Sequence, residues 1–169
     1  MNAPPSDHGR DLSRKGNLAV VTLSDTRTKQ NDTGGDTIIE LATLSDHKIV
    51  KRLLLKEDPE QIRLTIDQLA SDPSVDVILI TGGTGISRRD NTFETIAGML
   101  TKQLPGYGEL FRMLSYQEIG AAAMLSRAQA GLLGQTLLFT MPGSPGAVRL
   151  AMEKLVLPEL GHLLQESYR

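Results

Sequence analysis

The run Asp76-Val77-Ile78-Leu79-Ile80-Thr81-Gly82-Gly83-Thr84-Gly85-Ile86-Ser87-Arg88-Arg89-Asp90 constrains the fold more than any other stretch. It begins apolar and β-branched, as a strand buried on both faces does. It then turns through three glycines and two threonines within five residues. Glycine permits positive φ and lets a ligand approach the backbone. Two arginines and an aspartate follow, and then a helix start. A strand, a Gly-rich turn and a helix N-terminus present free backbone N–H groups at one place, which suits an anion. The arginines Arg88 and Arg89 add forked donors for phosphate or carboxylate.

Two better-known glycine motifs are excluded. A P-loop ends in Gly-Lys-Ser/Thr, and this loop has no lysine. A dinucleotide fingerprint needs a third glycine where Arg88 stands.

The buried-strand pattern extends in both directions. Leu18 to Leu23 reads as the first strand and Lys48 to Leu55 as the second. Lys48, Lys51 and Arg52 place the second strand nearer a sheet edge. Thr136 to Thr140 is a further strand. Between them, Asp36 can cap a helix over Thr37 to about Leu44. Asp58-Pro59 opens another, with Ile62, Ile66 and Leu69 facing inward. A helix is expected over about Thr92 to Lys102, with a break at Pro105 to Gly108. Further helical stretches are expected over about Glu109 to Ser115, Ala121 to Arg127 and Gly146 to Val156. Pro158 then interrupts before a last helix. The short βαβαβ spacing predicts parallel strands with right-handed crossovers.

The length of 169 residues suits one domain with a sizeable core. Residues 1–16 are expected as a flexible arm and 17–169 as the domain. A net charge of -2 gives no general attraction to nucleic acid or an anionic membrane. No run is long enough for a membrane span and no secretory signal is visible. The lack of cysteine excludes disulfides and thiolate metal sites, and fits a cytoplasmic protein.

Candidate site residues fall where predicted strands end. They are Ser24-Asp25, Asp58, Thr81 to Asp90 and Pro142 to Pro145. In open α/β sheets, ligands bind at that carboxyl edge. Each candidate also has a plainer role. Asp58 reads locally as a helix cap, Asp25 as an Asx-turn residue, and Asp90 or Asn91 as a cap. Arg88 and Arg89 also fit a solvated surface. Ser144-Pro145 fits a turn and helix start. His8, His47 and His162 look peripheral, which argues against a histidine triad or zinc site.

Thr81-Gly82-Gly83-Thr84-Gly85 with Arg89-Asp90 resembles the signature of the MoaB/Mog family of molybdenum-cofactor biosynthesis proteins. Ser24-Asp25, Asp32-Thr33-Gly34, Pro105-Gly106-x-Gly108-Glu109, Leu125-Ser126-Arg127 and Pro142-Gly143-x-Pro145 match in order. The resemblance implies a three-layer αβα molybdopterin-binding fold with a mostly parallel sheet, assembled as a homotrimer or homohexamer. Mog-type members and the matching gephyrin domain adenylylate molybdopterin with MgATP, activating it for metal insertion. MoaB-type members share the site. A molybdopterin carrier without adenylyltransferase activity is the alternative. Other molybdenum-cofactor biosynthesis enzymes are then possible partners.

Carried over by position, the family's two functional aspartates fall on Asp58 and Asp90, the expected catalytic and magnesium-binding pair. Ser24, Asp25, Thr81, Gly82, Gly83, Thr84, Gly85, Arg88, Arg89, Pro142, Gly143 and Ser144 are the expected pterin- and phosphate-binding set. Phe93 stands where the family has proline. The apolar stretch including Met113, Leu114, Ala121 to Ala123, Met124 and Leu125 is a candidate interface; an ordinary core is its other reading.

Overall fold

The computed structural model describes residues 10–169. β1 (Asn17–Leu23), β2 (Lys48–Leu55), β3 (Val77–Thr81) and β6 (Thr136–Met141) are the long strands. The short strands β4 (Lys102–Gln103) and β5 (Ala130–Leu133) complete one sheet of order β2-β1-β3-β6-β5-β4. The first four in that order run parallel. β5 and β4 add antiparallel. The fold is therefore the expected α/β sandwich with a mostly parallel sheet, and β2 lies at the edge as its cations predict.

Alternation along the strands supplies two cores. Leu18, Val20, Val77, Leu79, Leu137, Phe139 and Met141 face one side. There they meet α1 (Thr33–Leu44), α4 (Pro105–Ile119), α5 (Pro145–Ala151) and α6 (Leu157–Ser167). Ala19, Val21, Ile78, Ile80 and Leu138 face the other side. They meet α2 (Pro59–Ala70) and α3 (Thr92–Ala97). A side-chain period of two, with both faces apolar, is what a covered parallel sheet requires. Ile62, Ile66 and Leu69 are the buried residues of α2, as read from the sequence. No helix among the described residues is long and apolar enough to cross a membrane.

Several local expectations change. Asp32, not Asp36, caps α1: its Oδ1 accepts from Gly35 N–H at 3.0 Å. Its Oδ2 takes Thr22 Oγ1 at 2.8 Å and Arg52 Nη2 at 3.0 Å. This satisfies a carboxylate that is almost fully buried. Pro105 does not break the chain; it starts α4, where its missing N–H is no loss. α3 ends at Ala97, before the expected Lys102. Lys102–Gln103 instead pairs with Leu132 and Gly131. The helical stretch expected over Ala121 to Arg127 is a 3₁₀-helix over Gly120–Leu125. A π-turn over Met152–Val156 joins α5 to α6. Pro158 thus sits inside one winding helical run.

Of the arm expected over residues 1–16, residues 1–9 (with His8) lie outside the described residues. Residues 10–16 run beside α6. Asp11 N–H donates to Gln165 Oε1 at 3.1 Å, and the Arg14 guanidinium stands 4.5 Å over the Tyr168 ring. His47 is buried rather than peripheral, and its Nδ1 accepts from Gly16 N–H at 3.2 Å.

Candidate functional site

Register brings the loops together. Thr22, Thr81 and Met141 are neighbours across β1, β3 and β6, and Leu23 pairs with Leu55 of β2. Four chain segments distant in sequence therefore leave the sheet at one level. Gly82 locks three of them. Its N–H donates to Met141 O at 3.0 Å, and a Cβ on it would stand 2.2 Å from Leu23 O. With φ of +103° as well, this position admits only glycine in practice. Thr81 is buried, and its hydroxyl donates to Pro142 O at 3.1 Å. It ties two loops together rather than facing the site.

A cavity of about 330 Å³ opens beside these loops. Gly83, Thr84, Gly85, Asp90, Pro142, Gly143 and Ser144 line one part of it. Phe111, Ile119, Ala122 and Leu125 from α4 and the 3₁₀ segment line another. Its size falls in the range of small-molecule sites, apolar on one side with convergent polar groups on the other. Among the described residues, the amides of Gly83, Thr84, Gly85 and Ile86 have no acceptor. Ser144 caps α5, its Oγ accepting from Ala147 N–H at 3.3 Å.

The remaining expected residues frame the rim. Ser24 Oγ accepts from Thr26 N–H at 3.3 Å and Arg27 N–H at 3.1 Å, forming a tight turn. Asp25 bridges two loops: Oδ1 accepts from Glu57 N–H at 3.2 Å, and Oδ2 meets Arg89 Nη1 at 3.4 Å. Arg88 is exposed and makes no ion pair among the described residues. Asp90 Oδ2 accepts from Ser87 N–H at 2.9 Å, closing the glycine loop on itself.

Asp90 lines the cavity and Asp58 does not. Asp58 is the exposed N-cap of α2, with Oδ1 accepting from Glu60 N–H at 2.9 Å and Gln61 N–H at 3.4 Å. Its neighbour Glu57 turns inward instead. Glu57 Oε2 is buried without a hydrogen-bond partner. It lies 3.4 Å from where a Cβ on Gly83 would stand. Burial raises the Glu57 carboxyl above its usual 4.5; Asp90 and then Asp25 push the same way, and Arg89 opposes them. Local sequence concealed this, because Asp58-Pro59 carries the capping signal and draws attention from the acid before it. Arg27 was also missed: it donates to Gly143 O at 3.1 Å and to Thr33 Oγ1 at 3.2 Å. Among the described residues, no group of three or more His, Asp or Glu side chains forms a preformed metal cage.

The fold and cavity define an α/β domain with a cavity bordered by free loop amides at the carboxyl edge of its sheet. Residues 19–162 match the family described as "Probable molybdopterin binding domain". The chain is 45% identical to molybdenum cofactor biosynthesis protein B of Bacillus cereus over 165 residues, 97% of this chain and 98% of that protein. A crystal structure of a molybdenum cofactor biosynthesis protein B superposes with a TM-score of 0.90 at 47% identity, covering 92% of this chain and 98% of the other. The tungsten cofactor synthesizing protein MoaB from Pyrococcus furiosus gives 0.83 at 34%, covering 92% and 99%. This chain belongs to the molybdopterin-binding family, among the MoaB-type molybdenum cofactor biosynthesis proteins.

Proposed function

We propose that the protein acts in molybdenum cofactor biosynthesis, binding molybdopterin in the 330 Å³ cavity and transferring AMP from MgATP to its phosphate. The observation that carries this reading is the set of free glycine-loop amides at the cavity, with a buried, unpartnered Glu57 oxygen close behind Gly83. The amides suit a phosphate, and a carboxylate oxygen without a partner suits a hard cation.

Mg²⁺ typically needs only one or two protein carboxylates, with water and substrate phosphates completing its shell. Glu57 and Asp90 fit that role, and Asp58 serves as a cap. The metal, when bound, neutralises charge on the nucleotide phosphates. The chain's residues align the reactants. The glycine-loop amides hold the pterin phosphate so that its oxygen meets the α-phosphorus in line. A new P–O bond forms there as the bond to pyrophosphate breaks, and pyrophosphate leaves. The terminal phosphate is already ionised at neutral pH, so no strong base is required. Arg88 and Arg89 stand exposed at the rim, Arg88 without an ion pair among the described residues and Arg89 paired with Asp25, where both can meet phosphate charge. A reaction that consumes ATP fits a cytoplasmic protein.

The carrier reading draws on the absence of a preformed metal cage among the described residues. One assay separates the two: AMP transfer to molybdopterin with ATP and Mg²⁺. Molybdopterin binding without AMP transfer would overturn the enzymatic reading.

Assembly follows from the outer face of α4 and the 3₁₀ segment. Met113, Tyr116, Ile119 and Met124 are each more than half exposed there. An apolar face of this kind fits contact between copies, as a homotrimer or homohexamer.

A further inference from the structure

Arg127 follows the 3₁₀ segment and reaches the glycine loop from outside the cavity. Its backbone N–H donates to Thr84 O at 3.1 Å. Its guanidinium donates from Nε to Gly85 O at 2.9 Å and from Nη2 to Asp90 O at 2.8 Å. Nη1 pairs with Glu94, and the group stands 5.3 Å from the centre of the Phe93 ring. One residue thus gathers three carbonyls of the loop between β3 and α3.

In a planar trans peptide, the C=O and the following N–H point in opposite directions. Drawing the carbonyls of Thr84, Gly85 and Asp90 toward Arg127 therefore turns the amides of Gly85, Ile86 and Asn91 away from it. These three amides have no acceptor among the described residues. Thr84, Gly85 and Asp90 line the cavity, and Arg127 does not. From this geometry we infer that Arg127 is the positioning residue of the anion loop, setting amide direction and Asp90 placement without touching the ligand. The inference rests on the reading of the loop as an anion site. Arg88 and Arg89, by contrast, hold none of these carbonyls. A planar fork reaches two carbonyls at once, which a lysine ammonium does less well. Phe93 contributes by packing against the guanidinium, a contact the family's proline could not make with an aromatic face.

The test uses the ¹⁵N-labelled full chain and inorganic phosphate. In the parent protein, phosphate should shift the amides of Gly83 to Ile86. Arg127→Gln should weaken phosphate binding about tenfold or more, the loss of one charge-assisted contact set, while Arg127→Lys recovers part of it. Glu94→Gln, which removes only the tie to α3, should leave the affinity within about twofold. Parent-like affinity in Arg127→Gln, or an equal loss in Glu94→Gln, overturns the inference. If phosphate moves no loop amide even in the parent, the anion-site reading fails instead. Arg127 is then judged by ligand-free hydrogen exchange. Ser87, Asp90 and Thr92 amides, all bonded within the loop, should exchange about tenfold faster in Arg127→Gln, while Leu79 in β3 is unchanged. Unaltered loop exchange there overturns the positioning role.

Discussion

Gly82 and Gly83 are adjacent, and replacing each by alanine should produce different failures. At Gly83, φ is +65°, so an L-residue costs about 1–2 kcal/mol in backbone strain. The new Cβ would stand 2.0 Å from Thr92 Oγ1, a side-chain atom that can rotate away. Rotation breaks the 3.3 Å bond from Thr92 Oγ1 to Gly82 O, worth about 0.5–1.5 kcal/mol. The reduced entropy of the unfolded chain returns about 0.4–1 kcal/mol. Gly83→Ala should therefore destabilise by about 0.5–3 kcal/mol, a fall in melting temperature of about 1–12 °C for a chain of this size. At Gly82 the obstacle is Leu23 O at 2.2 Å, backbone of β1 that no rotamer relieves. Overpacking of about 1–3 kcal/mol adds there to the strain at φ +103°, for a net loss of about 1–5 kcal/mol after the same entropic return. Thermal melts followed by circular dichroism, with phosphate titrations on the same samples, compare the two variants. Gly83→Ala should melt as a folded protein with its anion binding largely gone; Gly82→Ala should lose the most stability. Intact phosphate binding in Gly83→Ala, or a parent-like melt in Gly82→Ala, would refute the reasoning.

Further outcomes concern other parts of the molecule. Glu57→Gln and Asp90→Asn should reduce magnesium-dependent AMP transfer far more than molybdopterin affinity, whereas Asp58→Ala should lower stability by about 0.5–2 kcal/mol and leave turnover intact; isothermal titration alongside the transfer assay checks all three. Burial, followed by Lys15, holds the His47 pKa below its usual 6.5, so the unfolded chain takes up a proton there before the folded one does. Stability should therefore decline as pH falls below about 6.5, and urea titrations at several pH values should show a flatter profile in His47→Asn. Met124→Glu should split the assembly while leaving the protomer folded, because this side chain is 75% exposed; light scattering coupled to size exclusion reads it, and a single monomer species of the parent would remove the assembly proposal.

The parallel part of the fold was legible because its strands are short apolar runs followed by turn and cap residues. β4 and β5 were not. Lys102–Gln103 is too short to show a period, and Ala130-Gly131-Leu132-Leu133 lacks β-branched residues. The signal that could have found β5 is Gly134, which has φ of +63° in the tight turn before Thr136. At the site, loop glycines and Asp90 could be read from sequence, since turn chemistry is local. The roles of Glu57 and Arg127 could not. Each depends on a contact across many residues of sequence, as when Arg127 reaches Gly85. Asp58 shows the converse: its capping bond was readable, and its distance from the cavity was not.

The π-turn between α5 and α6 has a consequence for the phase of the closing helix. Val148, Met152, Val156, Leu160 and Leu164 are all buried, and each is four residues from the last. An α-helix turns through about 100° per residue, so a strict four-residue repeat drifts by about 40° at each step. Over this run, the drift would carry Leu164 to nearly the opposite side from Val148. The wider π-turn over Met152–Val156, with its i→i+5 bonds, winds more slowly and takes back part of that rotation. A four-residue apolar repeat is thus the sequence imprint of the underwound turn. Removing one residue within it would let the turn close with ordinary i→i+4 bonds and leave Leu160 and Leu164 facing the sheet, because the underwound turn accommodates one extra residue.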